Sequence, residues 1–383
     1  LCYYSGMHNE EMFEIDWPYI LSCLPELESS SREFGALLRR RSVDSAETLL
    51  RLALVHAFCD HSLRETAVWA ETSDVASISD VALLKRFRRC GPWLGHLLMQ
   101  KITERSQWSP AFDGNFRVRI VDATHLSSPG AKGPVWRIHL GLDLASLTLD
   151  HFEFTDWRVG ESLDRFPITP EELLVGDRGY AHRDPMARVA SAGGFFLVRL
   201  PWSAVTFRDA DDRPFELFGF LRSIPETEAR EATVSFVASD NSVVKCRLIA
   251  LRKSATSAEV SRKTVLADRR RKGRSIDPRS LEAAEYIILL TNLEADKLSS
   301  YQALEIYRLR WQIEITFKRF KSLLNLDHLA AREPRMVQTY VLAKILGALL
   351  VEDLTDRYLS FFPWGYPVRS TSDFSLAALQ NGP

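Results

Sequence analysis

Residues 116–200 fall into a run of strand-like segments, and their succession limits the possible folds more than any other feature of the chain. FRVRIVDAT (116–124) places Phe116, Val118, Ile120 and Asp122 on one face by the two-residue period of a strand. VWRIHLGLDL (135–144) and LTLDHFEFTD (147–156) follow, joined through Ala145-Ser146, and read as a three-strand meander. Next come a short helical segment opening at GESLDRF and a compact apolar strand, ELLVGD, ending in Asp177. A helix, DPMARVASA, and a strand, FFLVRL (195–200), complete the series. In an open sheet of this order the first and fourth strands can lie side by side. Two acids at the ends of apolar rows, Asp122 and Asp177, would then share one edge.

The remainder arranges itself around that sheet. Residues 1–105 carry apolar side chains at spacings of three and four, as in SAETLLRLALVHAF, and predict a separate all-helical N-terminal domain over 1–110. Within it SLRE (62–65) fits a capping box. Ser79 is a predicted N-cap for DVALLKRFRR, with the helix expected to stop at Gly91-Pro92. Two short helices, the second ending strongly basic, suit a helix-turn-helix entering a DNA groove. A helical bundle whose basic end complements the helix dipole fits the same pattern. Residues 201–284 read as a strand-rich, irregular insertion containing ATVSFVA, VVKCRLIAL and the basic loop ADRRRKGRSIDP. The main α/β fold, begun over 111–200, resumes over 285–350 with a buried strand, EYIILLTNL, a late helix, and the apolar helix YVLAKILGALLVEDL (340–354), which carries Lys344 to one side. Residues 351–383 read as a loosely ordered tail.

At 383 residues, two or three units with sizeable cores are expected. A formal charge of −1 excludes a uniformly basic nucleic-acid coat, but local patches remain at 85–89, 269–274 and 318–321. The five cysteines show no paired spacing for zinc or a disulfide framework, so structural thiols in a reducing cytoplasm are expected. The opening residues lack the basic and apolar regions of a signal peptide, and no run of 18 apolar residues suggests a membrane span.

The late helix holds YRLRWQIEITFKRFKSLLNL (307–326). Rotation of ~100° per residue puts Tyr307, Arg310, Glu314 and Lys321 in a sector roughly 60° wide. Ile306, Leu309, Ile313, Phe317, Phe320 and Leu324 form the adjoining apolar stripe. Arg310 and Glu314 could be an ordinary surface ion pair. Alternatively, Glu314 joins Asp122 and Asp177 as a third carboxylate over the sheet edge. Oxygen-only ligands suit Mg²⁺, and paired ions can serve phosphodiester chemistry. Arg310 and Lys321 would then neutralise phosphate oxygens, with Tyr307 hydrogen-bonding or stacking.

The spacing Tyr307-x2-Arg310-x3-Glu314-x6-Lys321 resembles the Tyr/Arg/Glu/Lys motif of the family-four insertion-sequence transposases, a branch of the DDE transposases. IVDATHL around Asp122, GDRGYA around Asp177 and TDWRVGES (155–162) resemble that family's other motifs, and the likeness spans roughly residues 62–345. The resemblance implies a ribonuclease-H-like catalytic core, with the 201–284 insertion and a helical DNA-binding front. It also implies a DDE triad of Asp122, Asp177 and Glu314 binding Mg²⁺ or Mn²⁺. Tyr307, Arg310 and Lys321 would hold terminal phosphates. The partners implied are double-stranded DNA, as terminal inverted repeats and target, and a second subunit in a dimer on DNA. Activity would be cytoplasmic, at the nucleoid. Some relatives pass through a DNA hairpin with a flipped base, a stacking role assigned to no residue here. Two alternatives are a ribonuclease-H-like nuclease without strand transfer and a non-catalytic DNA-binding derivative.

Other residues draw plainer readings. Asp143 and Asp156 suit sheet-edge or turn roles, and Glu161 suits support for the start of its helix. His125 reads as a supporting or packing group beside Asp122, and Trp311 as core-edge packing. Arg178 is either a phosphate contact or a structural ion pair, and the RRRKGR run either a DNA-backbone contact or a solvated charge run.

Overall fold

The computed structural model describes residues 17–106 and 116–361, except 227, 274, 327, 328 and 330. Helices α1 (Trp17–Ser22), α2 (Leu27–Glu33), α3 (Ala46–Phe58), α4 (Leu63–Thr72) and α5 (Asp80–Ser106) open the chain. The predicted capping box is present at Ser62 and Glu65, and the Ala82 N–H donates to Ser79 Oγ at 3.3 Å. Helix α5 does not stop at Gly91-Pro92. It runs through Pro92, because the flanking Cys90, Trp93, Leu94, Leu97 and Leu98 are all fully buried. Burial at about 1.5–3 kcal/mol per large apolar side chain outweighs the ~3 kcal/mol that an interior proline costs. The second helix of the predicted helix-turn-helix is therefore a long packed helix.

Eight strands follow: β1 (Arg117–Leu126), β2 (Trp136–Asp143), β3 (Leu149–Asp156), β4 (Glu172–Gly176), β5 (Phe195–Arg199), β6 (Ala229–Val237), β7 (Val243–Arg252) and β8 (Tyr286–Thr291). They form one mixed sheet in the order β3-β2-β1-β4-β5-β8-β7-β6, with β1, β4 and β5 mutually parallel. The first and fourth strands are neighbours, as their order suggested. The hairpin β6–β7 from the inserted stretch extends the sheet beyond β8. Helix α6 (Arg183–Ser191) crosses from β4 to β5, and α7 (Leu217–Arg222) lies within the insertion.

Two expectations fail locally. The helix expected from GESLDRF is a single 3-10 turn at Leu163–Arg165. Pro167 follows Phe166, which takes the extended conformation (φ −106°, ψ 139°) that a residue before proline prefers. The basic stretch expected as a loop begins inside a helix, α8 (Ala255–Arg271), which takes in its first five residues and is opened by Ser254, whose side chain accepts from the Ser257 N–H. Arg269, Arg270 and Arg271 occupy its last turn, where cations complement the helix dipole. Helix α9 (Pro278–Ala283) then leads into β8.

Along β1, Val118 and Ile120 belong to one apolar cluster and Val121 to the other, so the sheet is covered on both faces. The first cluster joins the sheet to α1–α5 and to three late helices, α10 (Ser300–Leu309), α11 (Trp311–Leu323) and α12 (Pro334–Phe361). Helix α12 packs along α5 and α3 and continues past the predicted start of the tail; residues 362–383 lie outside the described residues. Lys344, fully buried on α12, donates to Asp60 Oδ1 at 2.5 Å and to the Leu324 carbonyl, tying the C-terminal end of α11 to the helical layer. Among the described residues no helix is long and apolar enough to cross a membrane. No disulfide joins the four described cysteines, and Cys2 lies outside the described residues.

Candidate active site

The parallel register of β1 and β4 assembles the first part of the site. Ile120 pairs with Val175, and continuing that ladder by two residues sets Asp122 level with Asp177. Asp122 does not end its strand, because β1 continues against β2 to Leu126, where Leu126 pairs with Trp136. It sits where β4 has stopped and one side of β1 is uncovered. Ile120 and Val175 belong to the same apolar cluster, so both acids project on the face that α11 covers.

The late helix supplies the rest, with one departure from a continuous helix. The chain tightens at Arg310, whose N–H bonds to the Tyr307 carbonyl, dividing α10 from α11. The predicted stripe is nonetheless packed. Ile306, Ile313, Phe317 and Phe320 are buried, with Leu309 and Leu324 packed against them. Arg310 turns inward, its Nη1 lying 3.3 Å from Asp122 Oδ2 and its Nη2 2.5 Å from Glu314 Oε1. One guanidinium thus joins two carboxylates from distant parts of the sequence. The same group lies over the Tyr307 ring, 5.8 Å from its centroid. Lys321 stands one step further along, near His125, whose ring accepts from Arg137. Trp311 is not core-edge packing; it is exposed beside this sector.

Burial pushes the Asp122 carboxyl up to about 7, with Asp177 and Glu161 adding to the rise and the Ala123 N–H and Arg310 opposing it. Such a carboxylate gains most from a cation. Asp177 Oδ1 accepts from the Gly179 N–H at 2.7 Å, and Glu314 is largely exposed. Among the described residues no three His, Cys, Asp or Glu side chains stand close enough together to hold an ion. Arg310 occupies the space between Asp122 and Glu314. The donor set is all carboxylate oxygen and is already bridged by one positive charge, which fits a hard divalent ion once the guanidinium withdraws.

Two features escaped the sequence reading. Glu161 does not support a helix; its half-buried carboxylate faces Asp177 across Gly179. A hint was available in TDWRVGES itself, since the segment leaving β3 starts at the end of the sheet where β4 also stops and can carry a side chain across to it. The second feature is a cavity of about 640 Å³ between β5, β7, α8 and α10, lined by Arg199, Arg252, Lys253, Ser257, Ser261 and Tyr307. Arg199 ends β5 beside Asp177, and its Nε is buried without a partner. Burial, then Arg199 and Arg178, lowers Lys253 to about 8, the signature of a basic pocket. Arg199, the stretch 251–261 and Tyr307 lie far apart in sequence, so spacing could not bring them together.

Asp143 and Asp156 keep structural roles. Asp143 is buried, receiving Arg117 Nε at 2.8 Å and the Ser146 N–H at 2.9 Å, whereas Asp156 caps an exposed turn through the Arg158 N–H at 2.9 Å.

Known proteins are similar in sequence to this chain. Residues 113–350 match the transposase DDE domain family. The transposase for insertion sequence element IS421 of Escherichia coli is 40% identical over 357 residues, covering 91% of this chain and 96% of that protein. InsL, named for element IS186A of Escherichia coli K12, has the same identity and coverage over 356 residues. The transposase for element IS231F of Bacillus thuringiensis subsp. israelensis is 24% identical over 288 residues, covering 66% of this chain and 60% of that one. With a family match across the whole sheet and relatives of this identity along nearly the whole chain, the protein belongs to the DDE transposases of insertion sequences.

Proposed function

We propose that this transposase binds double-stranded DNA at the terminal inverted repeats of its element and performs cleavage and strand transfer by phosphoryl transfer at Asp122, Asp177 and Glu314. Residues 111–200 and 285–350 form the ribonuclease-H-like core in this reading, 201–284 its insertion, and 1–110 a helical DNA-binding domain. The observation that carries it is the Arg310 bridge. A residue 188 positions from Asp122 brings that strand acid and the helix acid Glu314 onto one cation, beside a second strand acid held in register.

Asp122, Asp177 and Glu314 would hold Mg²⁺ or Mn²⁺, which when bound supplies charge neutralisation and activation of the attacking oxygen. This chain's own groups do the remainder. A DNA phosphate offers Arg310 a doubly hydrogen-bonded partner, so substrate draws the guanidinium off the carboxylates and frees them. Tyr307 and Lys321 grip the same strand end, and the basic cavity beyond Tyr307 receives its continuing backbone. Handling two element ends in one reaction calls for a dimer on DNA.

The test is an assay with Mg²⁺ and precleaved element ends. Joined product is the expected result. Hydrolysis alone would instead identify a nuclease without strand transfer, and binding without either would identify a non-catalytic derivative.

A further inference from the structure

Residues 157–162 lead from β3 to the 3-10 turn, and they are held in place. Arg137 Nη1 donates to the Val159 carbonyl at 2.9 Å and Arg165 Nε to the Gly160 carbonyl at 2.9 Å. Just beyond, Leu163 and Phe166 are buried in the apolar cluster on the face of the sheet away from α11. These anchors fix Glu161. A Cβ added at Gly179 would collide with Glu161 Oε2 and stand 3.1 Å from Asp177 Oδ1. Two carboxylates therefore converge on one glycine, the only residue type that leaves room for them. Among the described residues Glu161 makes no hydrogen bond and no ion pair. Holding one partly buried acid against another without a donor costs free energy until a cation arrives.

Tyr180 points to the same place. It is fully buried, and a Cβ added at Gly176 would lie 2.8 Å from Tyr180 Cβ, so the residue is seated on the strand end that precedes Asp177. Its hydroxyl has no hydrogen-bond partner, although Asp122, Glu161 and Asp177 all lie within electrostatic reach of it. A buried hydroxyl left unpaired costs about 1–3 kcal/mol, a cost removed once a carboxylate moves within reach.

We propose that Glu161 is a fourth acidic ligand of the catalytic centre, joining Asp122 and Asp177 in holding a divalent cation from the face of the sheet opposite Glu314, with Tyr180 donating to this carboxylate set. The proposal rests on the reading of Asp122 and Asp177 given above, but it assigns a residue which that reading leaves out.

The experiment is calorimetric titration of Mn²⁺ into the full chain bound to precleaved element ends, so that Arg310 is drawn off the carboxylates, with melting temperature followed in metal-free buffer. Glu161→Gln should weaken Mn²⁺ binding by about tenfold or more while leaving the melting temperature equal or higher. Gly179→Ala should weaken it comparably with every carboxylate intact, because the new methyl displaces Glu161. Tyr180→Phe should weaken it less. Should the glutamine variant fail to fold, Glu161→Asp keeps the charge, withdraws the oxygen by one methylene, and should show the same loss. If these variants bind Mn²⁺ like the unaltered chain while Asp122→Asn and Asp177→Asn lose it, the Glu161 assignment is wrong and the catalytic reading stands. If the two aspartate variants also bind normally, or the unaltered chain takes up no Mn²⁺, both fall.

Discussion

Strand β1 carries one charge cluster at its start and another midway along it, and the two are built on opposite rules. At its start, Arg119 Nε meets Asp150 Oδ2 at 2.6 Å and Arg119 Nη2 meets Glu172 Oε1 at 3.1 Å. Arg117 adds contacts to Asp143 at 2.8 Å and to Asp150 at 3.1 Å. Burial pushes Asp150 and Glu172 up, and the two arginines pull both back. Five residues further along, Asp122 and Asp177 stand together with Glu161, and Arg310 serves Asp122 while also holding Glu314. The first cluster pairs its acids within the protein. The second leaves negative charge over, which is unfavourable for folding alone and useful where cations and phosphates must be recruited.

The largest effect that could break this contrast is on chemistry. Asp122→Ala or Asp177→Ala should reduce strand cleavage by at least ~10³-fold, about 4 kcal/mol of barrier, without lowering the melting temperature. Unchanged cleavage of a supercoiled plasmid carrying the element would end the catalytic assignment.

In the cluster at the start of the strand the cost should appear in stability. Arg119→Met strips a partner from Asp150 and Glu172, both almost wholly buried. Breaking such a pair typically costs about 3–5 kcal/mol. A urea midpoint for the variant equal to that of the unaltered chain would show that the two clusters do not differ as described.

The pH dependence sharpens the comparison further. The Asp122 carboxyl titrates near 7 when folded and near 3.8 when unfolded, so the folded chain holds that proton more tightly. This group's favourable contribution is fully present below about pH 4, is lost as pH rises through about 7, and stays lost above. Asp122→Asn removes the ionisation, so its stability relative to the unaltered chain should grow by up to about 1.4 kcal/mol per pH unit across that window. Melting curves at pH 5 and pH 8 in chelator decide it: an advantage for the variant that is larger at pH 5 would reverse the sign and refute the account.

The contrast also shows what the sequence could and could not reveal. Asp122 and Asp177 were legible because strand alternation and order fix which residues of neighbouring parallel strands share a level, and the sheet kept that register. Glu314 and Arg310 were legible from helical spacing, since Ile313 and Phe317 had to face the core. Pro92 misled because local propensity cannot anticipate the buried stripe that carries α5 through it. Glu161 was hidden for the opposite reason. Its position depends on a turn shaped by Pro167 and by two arginine-to-carbonyl bonds, none of which has a period.

Asp156 is the control with the smallest expected effect. It ends β3, which runs parallel to β1, so it lies at the same end of the sheet as Asp122, but two strands away and opposite Trp136. It is half-buried, its Oδ1 accepts the Arg158 N–H at 2.9 Å, and the Arg158 guanidinium stands 3.8 Å off. If being an acid toward this end of the sheet were enough for function, Asp156→Asn would impair cleavage as Asp122→Ala does. Because what distinguishes Asp122 is a neighbouring acid and a shared arginine, Asp156→Asn should leave cleavage unchanged and shift stability by no more than about 0.5 kcal/mol. A tenfold loss of cleavage would mean that the negative field of the whole sheet end, rather than the convergence at Asp177, recruits the cation.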